Sequence, residues 1–235
     1  MEPANTDLQK GSSEAFVGLL KDFMAGKALQ SLGTADESTF RAAVEMVLGR
    51  TQVGELQLVM DGSKPCASAS GRYESADIFF APGGIIGASV LLELRYLPLA
   101  GVLSGRRGEW ISKPLHREMV NLEKEISDMP EHALDGLQFA YYSEEEQRPV
   151  FTTVGRMRQD ALEKVQGYAR IVGMGAAKSD GDPGARDMRI QIQPRLGCDT
   201  FSVYSFTLVA IGGRKLLWQS GEEVETDFSF KCVFI

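Results

Sequence analysis

Two segments constrain the fold more than any others: Ala76-Asp77-Ile78-Phe79-Phe80 and ASVLLELRYL over 88–97. Both are apolar at consecutive positions rather than alternate ones, the pattern of strands covered on both faces. A chain that holds such strands needs a layer on each side of its sheet. Helical periodicity supplies candidates. Phe16, Leu19, Leu20, Phe23 and Met24 predict a helix over 13–30, and the capping-box pattern Thr34-x-x-Glu37 opens another that stops at Gly49. Residues 55–60 alternate as a strand, and a Gly/Ser-rich turn follows to Gly71.

Beyond the second apolar strand, 112–129 predicts a helix and 137–142 a strand, with Glu144-Glu145-Glu146 as a solvated loop. Residues 154–173 form the best helical pattern, with Met157, Ala161, Val165, Tyr168 and Val172 on its core face. A loop is expected over 174–187, then strands over 189–193, 201–213, 214–219 and 228–235. The expectation is an α/β fold with an α-β-β-β-α-β core, its mixed sheet flanked by helices. It fills one domain over 14–235, with 98–153 as an insertion after a flexible segment 1–13.

Composition then excludes several classes. Hydrophobic residues are 43% of the 235, enough for a sizeable core. The net charge of −7 argues against coating nucleic acid through overall charge, so such a role needs a local basic patch. The longest uncharged stretch, Ile78 to Leu92, is broken by Pro82, Gly83, Gly84 and Gly87, and no membrane span is expected. The N-terminal MEPANTDLQKGSS has no secretion signature, which predicts an intracellular protein. Cys66, Cys198 and Cys232 are isolated and read as free thiols rather than a disulfide framework or zinc site. His116 and His132 are isolated too, and neither H-E-x-x-H, G-x-S-x-G nor a Walker loop occurs.

The chemistry lies in the acids that interrupt the apolar elements. Asp77 and Glu93 each sit alone in a buried strand, and a buried carboxylate is costly unless it is paired or binds a cation. Glu93 and Arg95, two apart, share one face of their strand. Glu45 interrupts AAVEMVLG on the preceding helix. Each has an ordinary reading: a strand start, a same-face ion pair, the wet side of a helix. Together, an acid on a helix, an acid on a strand and acid-x-base on the next strand suggest hard oxygen ligands for Mg²⁺ or Mn²⁺. Such a cation can activate water against a phosphodiester.

With these residues in place, the chain resembles the PD-(D/E)XK nuclease superfamily, the restriction-endonuclease-like fold. The closest likeness is to the nuclease-like domains of fungal Crinkler-type proteins. It spans roughly Phe16 to Trp218 and rests on GRYESADIFF, LLELRYL, LQFAYYSEEEQRPVFTTVGRMRQDALEKVQGYARIV and FTLVAIGGRKLLW. The resemblance implies a metal-dependent nuclease in which Asp77 and Glu93 bind the divalent cation with help from the Leu94 carbonyl. Glu45 would support that metal site, and Gln166 would orient the water or a phosphate. It places Tyr168 near the centre, although the apolar stripe assigns this residue to the core. Arg95 stands where the family carries Lys, and Ala76 where it carries Pro. Arg supplies charge and hydrogen bonds to phosphate but no base. The alternative is therefore a module that has lost cleavage and serves in nucleic-acid or protein binding, with Arg95 salt-bridged to Glu93 or Asp77.

Local basic residues exist for a phosphate backbone. Arg106, Arg107 and Lys113 follow the third strand, and Arg156, Arg158 and Lys164 lie on the long helix, with acids interleaved throughout. The implied partner is nucleic acid, DNA ahead of RNA, for an effector or toxin-type domain that acts in the nucleus. No base-stacking platform or recognition helix is expected.

Overall fold

The computed structural model describes residues 2–26, 36–49, 52–60, 73–82, 88–179, 182–194 and 201–233. Three helices come first: α1 (Glu2–Leu8), α2 (Glu14–Ala25) and α3 (Glu37–Leu48). Then follow β1 (Gln52–Val59), β2 (Tyr73–Phe80) and β3 (Ser89–Leu97). The insertion contains α4 (Leu99–Arg107), α5 (His116–Asp128), α6 (Glu131–Leu134) and the hairpin β4 (Gln138–Ser143)–β5 (Arg148–Thr153). The long α7 (Val154–Gly173) precedes β6 (Gly184–Ala185), β7 (Ile190–Pro194), β8 (Phe201–Ile211), β9 (Lys215–Ser220), β10 (Val224–Thr226) and β11 (Phe228–Cys232).

The main sheet has seven strands in the order β10-β8-β3-β2-β1-β6, with β9 also paired to β8. Only β3 and β8 run parallel, over the whole length of β3; the other pairings in this sheet are antiparallel. β11 pairs with β7 in a separate two-stranded sheet. Mixed α/β architecture with helices on both sides of a mixed sheet is thus established.

Hydrophobic burial assigns the layers. α2 and α3 cover one face: Phe16, Leu20, Phe40 and Val44 pack against Ile78, Leu92, Leu94 and Phe206. α7 covers the other, where Val165, Tyr168 and Val172 meet Phe79, Leu91 and Val203. A third cluster gathers α4–α6 and β4 beyond the end of β3. The buried residues of β2 and β3 thus divide between two layers, which is why their sequences do not alternate.

Several expectations shift. The segment expected to be loose holds α1, whose Leu8 is buried and whose Asn5 side chain donates to the Leu48 carbonyl at 2.8 Å. α3 is capped by Asp36, whose carboxylate accepts the Thr39 N–H at 2.9 Å; Thr34 lies outside the described residues. The acidic run 144–146 is the turn of the β4–β5 hairpin, and the glycine-rich 99–107 is α4. Cys66 and Cys198 lie outside the described residues, and Cys232 is a free thiol. Among the described residues no helix is long and apolar enough to cross a membrane.

Candidate active site

The site begins where two strands part. β2 and β3 pair only at Ile78–Leu92, Phe79–Leu91 and Phe80–Val90. On the other side of that pairing, residues 73–76 of β2 keep β1 and residues 93–97 of β3 keep β8. Asp77 and Glu93, the next pair in register, flank the mouth of this fork, on the face shared with Phe79 and Leu91 beneath α7. Splaying releases the Leu94 N–H from the β2 ladder, and it donates instead to Asp77 Oδ2 at 2.7 Å.

Glu93 is 0% exposed. Its Oε1 takes two cations, Arg95 from its own strand and Lys164 from α7, each at 2.8 Å. Its Oε2 is buried with no hydrogen-bond partner among the described residues. Burial, then the nearby Asp77 charge, pushes Glu93 up to about 7, against the pull of Lys164 and Arg95. Beside it, the hydroxyl of Thr207, in register on β8, is also buried without a described partner.

Asp77 has both oxygens engaged, since Oδ1 takes Arg41 of α3 at 2.7 Å. Arg41 spans two acids, holding Glu55 at 2.7 Å as well. Glu55 sits opposite Asp77 on β1 with a left-handed backbone (φ 53), costly for a non-glycine residue. Glu37, one turn before Arg41, reaches Arg95 at 3.5 Å. The cluster therefore interleaves Glu37, Glu55, Asp77 and Glu93 with Arg41, Arg95 and Lys164.

The sequence-derived residues are not all together. Asp77, Glu93 and Arg95 converge. The Leu94 carbonyl accepts from Arg95 at 3.4 Å. Glu45, the next turn of α3 past Arg41, has its Oε1 over Gly54, where an added Cβ would meet it at 3.1 Å and the Asp77 carbonyl oxygen at 3.9 Å. No described contact joins Glu45 to Asp77 or Glu93. Gln166 lies against Gly221, whose added Cβ would meet its Cγ at 2.9 Å. Tyr168 is core: its phenol donates to Glu74, its ring lies 5.2 Å from Lys164 Nζ, and burial foremost pushes the phenol up so that it stays protonated.

The expected basic patch is largely neutralised. Arg106 pairs with Glu125, Arg107 with Glu118, Arg156 with Asp160 and Arg158 with Asp135. Lys113 has no ion-pair partner among the described residues. Lys164 alone of this set reaches the fork. Sequence reasoning missed Glu37, Arg41 and Glu55; the spacing of 37, 41 and 45 along one helix face was the available signal.

The donor set suits a small hard cation. Mg²⁺ characteristically takes one or two carboxylates and completes its shell with water and substrate phosphate. Glu93 Oε2 is an unspent oxygen ligand of that type, with Asp77 beside it. Among the described residues no group of three or more His, Cys, Asp or Glu side chains is placed to hold a metal. No protein-family model, curated protein or solved structure matches the chain.

Proposed function

We propose that the chain is a Mg²⁺- or Mn²⁺-dependent nuclease of the restriction-endonuclease-like kind. It hydrolyses phosphodiester bonds in nucleic acid, DNA ahead of RNA, at the fork between β2 and β3. The observation that carries this reading is Glu93 Oε2: a buried, unpartnered carboxylate oxygen next to a second carboxylate, with two cations on its other oxygen. Asp77 and Glu93 would hold the metal, which when bound would lower the pKa of a water so that it loses its proton and can attack phosphorus. Arg95 and Lys164 leave Glu93 Oε1 to receive the phosphate oxygens and the charge that develops on them. Lys164 restores from α7 the compact three-donor ammonium that the strand position lacks. Arg41 must release Asp77, so binding exchanges one cation partner for another. An effector or toxin-type role is the setting suggested by the Crinkler-type resemblance.

A second reading, a module that binds without cutting, is favoured by the closed ion pairs Arg95–Glu93 and Arg41–Asp77. Incubating the protein with plasmid, single-stranded DNA and RNA in Mg²⁺ or Mn²⁺ separates the two. The nuclease reading expects metal-dependent cleavage that EDTA, Asp77→Asn and Glu93→Gln each abolish. Cleavage by Arg95→Lys alone favours the binding module. No cleavage by either protein overturns the nuclease.

A further inference from the structure

Next to the fork lies a groove of about 540 Å³ whose wall includes Arg95 of the acid cluster and the aromatic rings of Trp110, Tyr141 and Tyr142. Its volume falls within the ~300–1,000 Å³ of sites that take up small organic groups. Trp110 is 40% exposed and Tyr142 is 45% exposed, although both are large rings. Their centroids lie 6.2 Å apart at an interplanar angle of 51°. Tyr141 stacks on the buried Phe139, which fixes its ring plane.

The fold takes trouble to build this wall. α4 presents Gly101 and Gly105 to β4 so closely that an added Cβ would meet Phe139 Cε2 at 2.3 Å and the Gln138 carbonyl carbon at 2.4 Å. That close approach sets the loop bearing Trp110 beside the strand bearing Tyr142. The two acids on the wall are already paired, Glu37 with Arg95 and Asp160 with Arg156.

We infer that this groove binds single-stranded nucleic acid by stacking unpaired bases on Trp110 and Tyr142, feeding the adjoining phosphate to Arg95 at the fork. The inference rests on the nuclease reading of the fork and specifies its substrate. Every base has a flat face, so such stacking is tolerant of sequence. A duplex keeps those faces inside its own stack, so the groove selects unpaired strands. Continuity with Arg95 favours a nucleic acid over a peptide: flat bases joined by phosphates match exposed ring faces that lie beside a single guanidinium. The aromatic platform was not expected from the sequence, because Trp110 and Tyr142 lie 32 residues apart.

The test measures binding without cleavage. A fluorescein-labelled oligothymidylate of about 12 nucleotides, a hairpin duplex of equal length and a proline-rich peptide are titrated separately in EDTA at fixed salt. Anisotropy and tryptophan emission are read together, with Trp218 as the internal reference. The single strand is expected to bind, to quench Trp110 and to exceed the duplex by about tenfold. Trp110→Ala and Tyr142→Ala should each weaken it by about tenfold. Glu93→Gln should keep binding and quenching while losing cleavage. Oligonucleotide binding that ignores both aromatic variants, or quenching by the peptide and not by the oligonucleotide, overturns the groove and leaves the nuclease reading standing. Aromatic-dependent binding by a wild type that never cuts upholds the groove and removes the nuclease.

Discussion

Replacing Glu93 by Gln should change how folding stability depends on pH, with a sign set by the burial of that carboxyl. Its folded value, about 7, lies above the ordinary 4.5. Below pH 4.5 the group is protonated in both folded and unfolded chains and makes no difference. As pH rises through 4.5 the unfolded chain ionises, while the folded chain keeps its proton until about 7. Stability contributed by this group therefore falls across pH 4.5–7 and is gone by pH 8. At ~1.4 kcal/mol per pH unit, the gap amounts to about 3 kcal/mol. Gln cannot ionise, so Glu93→Gln escapes the decline, and titrating groups that do not sense Glu93 cancel between the two proteins. Urea unfolding of both in EDTA at pH 4.5, 6 and 8 measures it. The wild type should lose about 3 kcal/mol relative to the variant between the extremes, with unchanged m-values. Adding Mn²⁺ at pH 8 should return part of that loss to the wild type alone. Parallel profiles in EDTA would refute the claim that burial pushes the Glu93 carboxyl up.

Other perturbations have definite outcomes. Arg41→Met removes one partner from Asp77 and should cost about 2 kcal/mol in urea unfolding, while calorimetry should find tighter Mn²⁺ binding because the competing guanidinium is gone. Lys164→Met should lower single-turnover cleavage by about 10²-fold, and at least as much as Arg95→Met; an unchanged rate removes Lys164 from the phosphate site. Gly101→Ala should destabilise by about 1–3 kcal/mol because its Cβ strikes Phe139. Gly18→Ala, where α2 leaves open space, should stabilise by about 0.5–1 kcal/mol.

What the sequence revealed follows from the range of the forces involved. α7 was legible because its apolar stripe repeats over about four turns, and Asp77 and Glu93 because a lone carboxylate in a strand covered on both faces is conspicuous. α4 was not, since two glycines interrupt LAGVLSGRR and their role shows only when β4 arrives to fill the space they leave. β5 was hidden by Pro149 and by half-exposed residues that carry no strong pattern. α1 offered no apolar stripe. At the site, Arg41, Glu37 and Lys164 act through partners 36, 58 and 71 positions away. Their roles depend on where β2 and β3 part, which neither strand's sequence specifies alone. Glu45 and Gln166 looked equivalent to them in one dimension, but no described contact joins either to Asp77 or Glu93.

The pairing of Asp77 and Glu93 around one divalent cation is the claim on which the rest depends. Electron paramagnetic resonance of Mn²⁺ titrated into the protein at pH 8 counts bound against free ion directly. One bound Mn²⁺ per chain is expected for the wild type, lost in both Asp77→Asn and Glu93→Gln and retained in Trp110→Ala. Binding that survives both carboxylate substitutions, or a wild type that leaves all the Mn²⁺ free, would contradict the account.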